Sequence, residues 1–128
     1  MIPFRIRALD HVVLRVRDMD RMIRFYVDVL GCSEERRVAS IGLVQLRAGS
    51  ALIDLVPGRG PAEGRNVDHF ALTVEPYDEP VLRAHLAAAG ASTGESGSRY
   101  GAEGEGPSLY LDDPEGNTVE LKGPPHPR

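Results

Sequence analysis

The chain has 128 residues, within the range of one domain and enough to bury a core without disulfide staples. Its hydrophobic fraction is 41%, and its mixed charge sums to -4 with no basic patch or run of like charge, which argues against nucleic acid as a partner. No apolar run approaches the length of a membrane span, the N-terminal Met1-Ile2-Pro3-Phe4-Arg5-Ile6-Arg7 lacks the apolar core of a signal peptide, and the lone Cys32 cannot form an internal disulfide, so a soluble cytoplasmic protein is expected.

The first predicted strand covers residues 9–16 (Leu-Asp-His-Val-Val-Leu-Arg-Val). Val12, Leu14 and Val16 share one face, and Leu9, His11, Val13 and Arg15 share the other. Asp18 is a suitable helix N-cap, and Met19, Met22, Ile23, Tyr26, Val29 and Leu30 recur at helical spacing before Gly31, where a left-handed C-cap belongs. Cys32 reads as a small packing residue, since no base is near it in sequence. Two short strands are expected over residues 37–40 and 41–47, a turn at 48–50, and a stronger strand over 51–56 that carries one carboxylate, Asp54, in an otherwise apolar run. Residues 57–66, rich in Gly and Pro, form a linker.

The pattern then restarts. Residues 67–74 (Val-Asp-His-Phe-Ala-Leu-Thr-Val) repeat the first strand, with Asp68, Phe70, Leu72 and Val74 on one face and Val67, His69, Ala71 and Thr73 on the other. Asp78-Glu79-Pro80 opens a second helix with Leu82, Leu86 and Ala89 as its buried stripe and Gly90 at its end. Residues 91–97 hold a short strand and turn, and 98–107 read as a flexible Gly-rich loop. A strand is expected over 108–111, a tight turn over 112–117 (Asp-Asp-Pro-Glu-Gly-Asn), a last strand over 118–122, and a frayed tail from 124.

The chain is thus two copies of a strand-helix-three-strand unit, modules 8–56 and 67–122 joined by linker 57–66 in one domain. This predicts an α+β fold of two tandem βαβββ modules forming a cupped mixed sheet. His11 and His69 occupy equivalent places in the first strands, and Asp54 and Glu120 lie in the last strands. If the apolar faces take the helices, His11, His69, Asp54 and Glu120 can line the opposite face. Imidazole and carboxylate together suit a divalent first-row metal. Two His and Glu120 form the minimum set, and Asp54, one carbon shorter than Glu, is the possible fourth member.

Asp10-His11-Val12-Val13-Leu14, the Phe25-Tyr26 pair before Leu30-Gly31, and Asp113-Pro114-Glu115-Gly116-Asn117-Thr118-Val119-Glu120-Leu121 resemble the vicinal oxygen chelate superfamily. That superfamily includes glyoxalase I, fosfomycin-resistance thiol transferases, extradiol dioxygenases and bleomycin-binding proteins. The resemblance spans roughly residues 8–122, and its most specific part is the Asp-Pro-Glu-Gly-Asn turn leading to Glu120. It implies His11, His69 and Glu120 as ligands of one divalent metal (Ni, Zn, Mn, Co or Fe(II)), with Asp54 where glyoxalase I places a Glu. It implies a small oxygenated substrate and a glyoxalase-I-like lyase or isomerase in which Glu120, or else Asp54, carries the proton. An Fe(II) extradiol dioxygenase and a non-catalytic drug- or metabolite-binding protein are the alternatives. It also implies a homodimer, with modules pairing within one chain or across two.

Arg99 and Tyr100 are the candidates for binding an anionic substrate group, on a loop whose Gly101, Gly104 and Gly106 permit movement. A surface loop without a role is the competing reading. Arg15 shares the face of His11 and reads first as a surface salt bridge. His85 is expected to be exposed on its helix, and His126 to be without function in the tail.

Overall fold

Alternation in the first strand is realised as β1 (His11–Val16), in which Leu14 and Val16 are buried while His11, Val13 and Arg15 stay exposed. The structure, a computed structural model, describes residues 3, 8–60, 64, 67 and 69–127. Asp68, most of the N-terminal heptad and linker residues 61–63, 65 and 66 fall outside them. The chain divides into two compact units, Met1–Pro61 and Ala62–Arg128, and the division falls within the predicted linker.

In the first unit, Asp18 caps helix α1 (Met19–Arg24) by accepting from the Arg21 backbone N–H. The expected single helix does not run through to Leu30 as an α-helix. It widens into a π-helical turn over Phe25–Val29, in which the Leu30 N–H reaches back to the Phe25 carbonyl. Gly31 then turns with φ 82°. Strand β2 (Ser33–Val38), a short 3-10 turn (Ala39–Ile41), β3 (Leu43–Ala48) and β4 (Ala51–Pro57) follow. The strand expected over 37–40 thus begins four residues and ends two residues earlier, and that expected over 41–47 begins two residues and ends one residue later. The reason is that β2 is a solvated edge strand, held by Arg47–Glu35 at 3.0 Å and by an Arg37–Glu34 pair along its own length, with no apolar alternation to mark it. The sheet order is β1-β4-β3-β2, with β1 parallel to β4 and the other pairs antiparallel. Leu14, Leu46 and Leu55 of the sheet and Met22 and Tyr26 of the helix have no exposed surface and form the core of this unit.

The second unit repeats the plan with β5 (His69–Thr73), α2 (Glu79–Ala88), β6 (Ser92–Gly101), β7 (Gly104–Asp112) and β8 (Thr118–Lys122), in the order β5-β8-β7-β6. Asp78 caps α2 by accepting from Val81 N–H. Of its expected stripe, Leu86 is buried, Leu82 is half-buried and Ala89 is exposed, because the helix stops at Ala88 and Gly90 turns away with φ 75°. Leu109, Leu111, Val119 and Leu121 make the buried apolar face. The turn before β8 is tied by Asp113, whose Oδ1 accepts from Glu115 N and Asn117 N at 2.9 Å each while Oδ2 accepts from Asn117 Nδ2 at 2.7 Å. That clamp sets the start of the strand that carries Glu120.

Two expectations are corrected here. Residues 98–107 are not a free loop but the far end of a long β6–β7 hairpin, paired out to Gly101 and Gly104. A strand this rich in Gly and Ser shows no alternation, because it is an outer strand held by backbone hydrogen bonds rather than by apolar burial. The tail is not frayed over its described length. Gly123 N donates to Pro107 O at 2.9 Å and His126 N to Glu105 O at 2.7 Å. Gly106 is required beneath it, since a Cβ there would lie 2.7 Å from the Pro124 carbonyl oxygen. His126 Nε2 lies 2.9 Å from Ser98 Oγ, which itself donates to Glu105 Oε2 at 2.7 Å.

Candidate metal centre

In the first unit, register places Asp54 between Val13 of β1 and Gln45 of β3, on the face that also carries His11. His11 sits diagonally from Asp54, two residues along β1. Its Nδ1 lies 2.7 Å from Asp10 Oδ2. That contact holds the imidazole pKa above its ordinary value; the Asp54 charge reinforces the shift and burial opposes it. With Nδ1 turned to a carboxylate, Nε2 is the nitrogen left to face an ion, an arrangement that orients metal-binding imidazoles generally. Asp54 is only 5% exposed. Its Oδ2 accepts from Gln45 Nε2 at 3.2 Å, and its buried Oδ1 has no hydrogen-bond partner among the described residues.

In the second unit, His69 and Glu120 lie diagonally across the parallel β5–β8 pair, on one face of the sheet. His69 Nε2 is 3.4 Å from Glu120 Oε1. Glu120 is 6% exposed, so it is no solvated strand residue, and its Oε2 accepts from the fully buried Ser108 Oγ at 2.7 Å. Tyr110 stands directly opposite Glu120 on β7 and meets the His69 ring edge-on, with centroids 5.8 Å apart. Burial, then the Glu120 charge and a hydrogen bond to Glu120, raise the phenol pKa above its ordinary value, while Arg99 opposes the rise. The Arg99 guanidinium lies 5.7 Å from the Tyr110 ring centroid. Lys122, 8% exposed, runs along the same face and donates through Nζ to the Arg99 carbonyl at 2.5 Å.

The expected residues are thus brought together pairwise within each unit: His11 with Asp54, and His69 with Glu120. Among the described residues no three His, Cys, Asp or Glu side chains form a metal-sized cluster. One pair is nevertheless spaced as two ligands of a single divalent ion would be. Two ligand atoms each roughly 2.1 Å from one ion, at tetrahedral or octahedral angles, stand about 3.0–3.4 Å apart. The His69 Nε2–Glu120 Oε1 spacing meets that requirement, and the unpartnered Asp54 oxygen is a buried acceptor awaiting a cation or a donor. Arg99 lies on the Glu120 face. Strand alternation turns Tyr100 to the other side, where it is 81% exposed, so the structure does not join the two expected anion-binding residues. Sequence reasoning missed Gln45, Ser108 and Tyr110. Each was visible as a polar residue on a strand, but only register shows which carboxylate it meets.

The family model described as the Glyoxalase/Bleomycin resistance protein/Dioxygenase superfamily matches residues 8–121. Virulence protein STM3117 of Salmonella typhimurium is 31% identical over 126 residues, covering 94% of this chain and 86% of the relative. Its crystal structure aligns with a TM-score of 0.78 over 94% of this chain and 99% of that one, at 26% identity. An integron cassette protein from the mobile metagenome of V. cholerae aligns with a TM-score of 0.77, at 28% identity over 95% and 98% of the two chains. The fosfomycin resistance protein FosX of Listeria monocytogenes shares the fold with a TM-score of 0.74, at 19% identity over 93% and 94%.

Proposed function

This chain belongs to the Glyoxalase/Bleomycin resistance protein/Dioxygenase superfamily, and from that premise we propose that it is a metal-dependent enzyme of the vicinal oxygen chelate type, a glyoxalase-I-like lyase or isomerase acting on a small oxygenated substrate. The observation that carries this reading is the buried Glu120 carboxylate, with one oxygen 3.4 Å from His69 Nε2 and the other fixed by Ser108. His11, His69 and Glu120 are the proposed ligands of one divalent ion (Ni, Zn, Mn, Co or Fe(II)), with Asp54 as the fourth, and the working form is a homodimer. A bound divalent ion would polarise two neighbouring substrate oxygens and lower the pKa of the adjacent C–H.

The chain's own groups supply the rest. Glu120 Oε1 takes a proton from one substrate carbon and returns it to its neighbour, while Ser108 keeps the carboxylate from swinging away. The Tyr110 hydroxyl, held protonated by burial and the Glu120 charge, donates to Glu120 and helps Ser108 fix the carboxylate. Arg99, exposed enough to meet solvent, pairs with an anionic group of the substrate.

The test is metal analysis of protein purified without chelator, followed by turnover of a glutathione hemithioacetal with Ni(II), Zn(II), Mn(II) or Co(II) added. Turnover with one of them, lowered about 10²–10⁴-fold by Glu120→Gln, supports the reading. No turnover with any metal removes the glyoxalase reaction. Oxygen uptake with catechols only after Fe(II) loading would make the enzyme a dioxygenase. Ligand binding that survives both chelator and His69→Ala would make it a binding protein.

A further inference from the structure

Strands β2, β3 and β4 carry a polar line that reaches Asp54 through two residues, Arg36 and Gln45, to which the metal reading gives no part. Arg36 Nε donates to Gln45 Oε1 at 2.7 Å, and Gln45 Nε2 donates to Asp54 Oδ2 at 3.2 Å. Register requires this line, since Arg36 pairs with Gln45 and Gln45 pairs with Asp54, so all three side chains rise from one face of the sheet. The line ends on a carboxylate that is 5% exposed and whose Oδ1 has no partner among the described residues. A buried acceptor left without a donor or cation is costly.

We propose that Gln45 is a positioning residue for metal binding: its amide, aligned from behind by Arg36, occupies Asp54 Oδ2 and so presents Oδ1 to the ion on the His11 face. An amide suits the task. Its carbonyl end accepts from the guanidinium, which fixes the flip and points the NH₂ at the carboxylate. A carboxylate held by one oxygen is confined to a single-oxygen contact with the ion and is oriented before the ion arrives. The inference rests on the metal reading above and adds to it the means by which Asp54 joins the ligand set.

The test titrates Co(II) into the full chain by calorimetry and follows the visible ligand-field spectrum of the bound ion, neither of which needs a substrate. Gln45→Met keeps the side-chain volume and removes the hydrogen bonds. It is expected to weaken Co(II) binding about 10–100-fold and to shift the spectrum toward that of Asp54→Asn. Gln45→Leu, which likewise removes the amide and adds no charge, gives a second variant with the same expected loss. In an Asp54→Asn background, Gln45→Met should cost nothing further, because it acts through Asp54. A merely structural Gln45 would lower the melting temperature of the metal-free protein and leave the Co(II) affinity and spectrum unchanged. That result overturns the proposal, as does full additivity in the double variant. If wild-type protein binds Co(II) through His69 and Glu120 but Asp54→Asn binds equally well, the metal reading stands and this inference falls. If wild-type protein binds no divalent ion, both fall.

Discussion

Ser108 and Cys32 both lie out of solvent, and each answers to a different measurement. Ser108 Oγ has no exposed surface and supplies the donor to Glu120 Oε2. Ser108→Ala leaves a buried carboxylate oxygen one donor short, at an expected cost of about 1–3 kcal/mol in urea unfolding monitored by circular dichroism. Ser108→Cys, a weaker donor of similar size, should fall between. Cys32, 7% exposed, has its thiol pKa pushed above the ordinary value by burial. Its thiolate is therefore scarcer in the folded than in the unfolded chain, and Ellman's reagent should label the folded protein more slowly than the urea-unfolded chain. The sign for stability follows. The folded state keeps the proton to higher pH than the unfolded state does, so this contribution is complete below the ordinary thiol pKa and is lost as pH rises through the folded value. The packing role read from sequence for Cys32 agrees with its burial, whereas nothing local to Ser108 distinguished it from the other serines around it.

Helix α2 is attached to its sheet in two ways. Leu86 is its one fully buried side chain among the described residues, and Leu86→Ala should cost about 2–5 kcal/mol in denaturant unfolding. Its first two turns are tied to β6 by polar contacts: Arg83 reaches Glu79 Oε2 at 2.9 Å and the Gly94 carbonyl at 3.1 Å, and Ser96 Oγ donates to Glu79 at 3.1 Å. Arg83, and then Ser96, hold the Glu79 carboxyl below its ordinary pKa. A depressed carboxyl stabilises the fold above the ordinary carboxylate range, and the stabilisation is lost as pH falls through the folded value. The protection factors of the early α2 amides, corrected for the intrinsic exchange rate, should therefore fall in acid, and Arg83→Ala should reduce that pH dependence. The tail offers a third check. Deleting residues 124–128 removes the His126 contacts with Glu105 and Ser98, so amides near the end of the β6–β7 hairpin should exchange faster while the Leu86 region stays protected. The helices were legible because capping Asp and spaced Leu are local signals. The hairpin was not, because its Gly and Ser residues announce mobility unless the neighbouring strand is known.

At the scale of the whole molecule, two units of the same plan each carry one His–carboxylate pair, and no helix among the described residues is long and apolar enough to cross a membrane. Under the metal reading the ion binds the folded chain alone, so binding couples to the stability of the folded state. At a free metal concentration near 100 times Kd, the ion should add about 2.7 kcal/mol to unfolding, reversed by EDTA. His69→Ala should abolish that increment while changing metal-free stability little, since its side chain is 39% exposed. Equal unfolding midpoints with and without metal in the wild type would contradict the reading.

Some of this was decided by residues acting within a few positions of themselves. The duplicated Asp-His strand starts, the capping aspartates, the helix-ending glycines and the Asp113–Asn117 turn are local chemistry, so the βαβββ repeat could be read directly and the faces of His11, His69, Asp54 and Glu120 with it. Tertiary structure alone decided what those faces meet. A two-residue period says which side of a strand a residue occupies but not which strand lies beside it or in what register. Gln45 against Asp54, Ser108 and Tyr110 against Glu120, and the pairing of a Gly-rich segment into β6 all depend on hydrogen bonds between strands distant in sequence, and no local pattern encodes them.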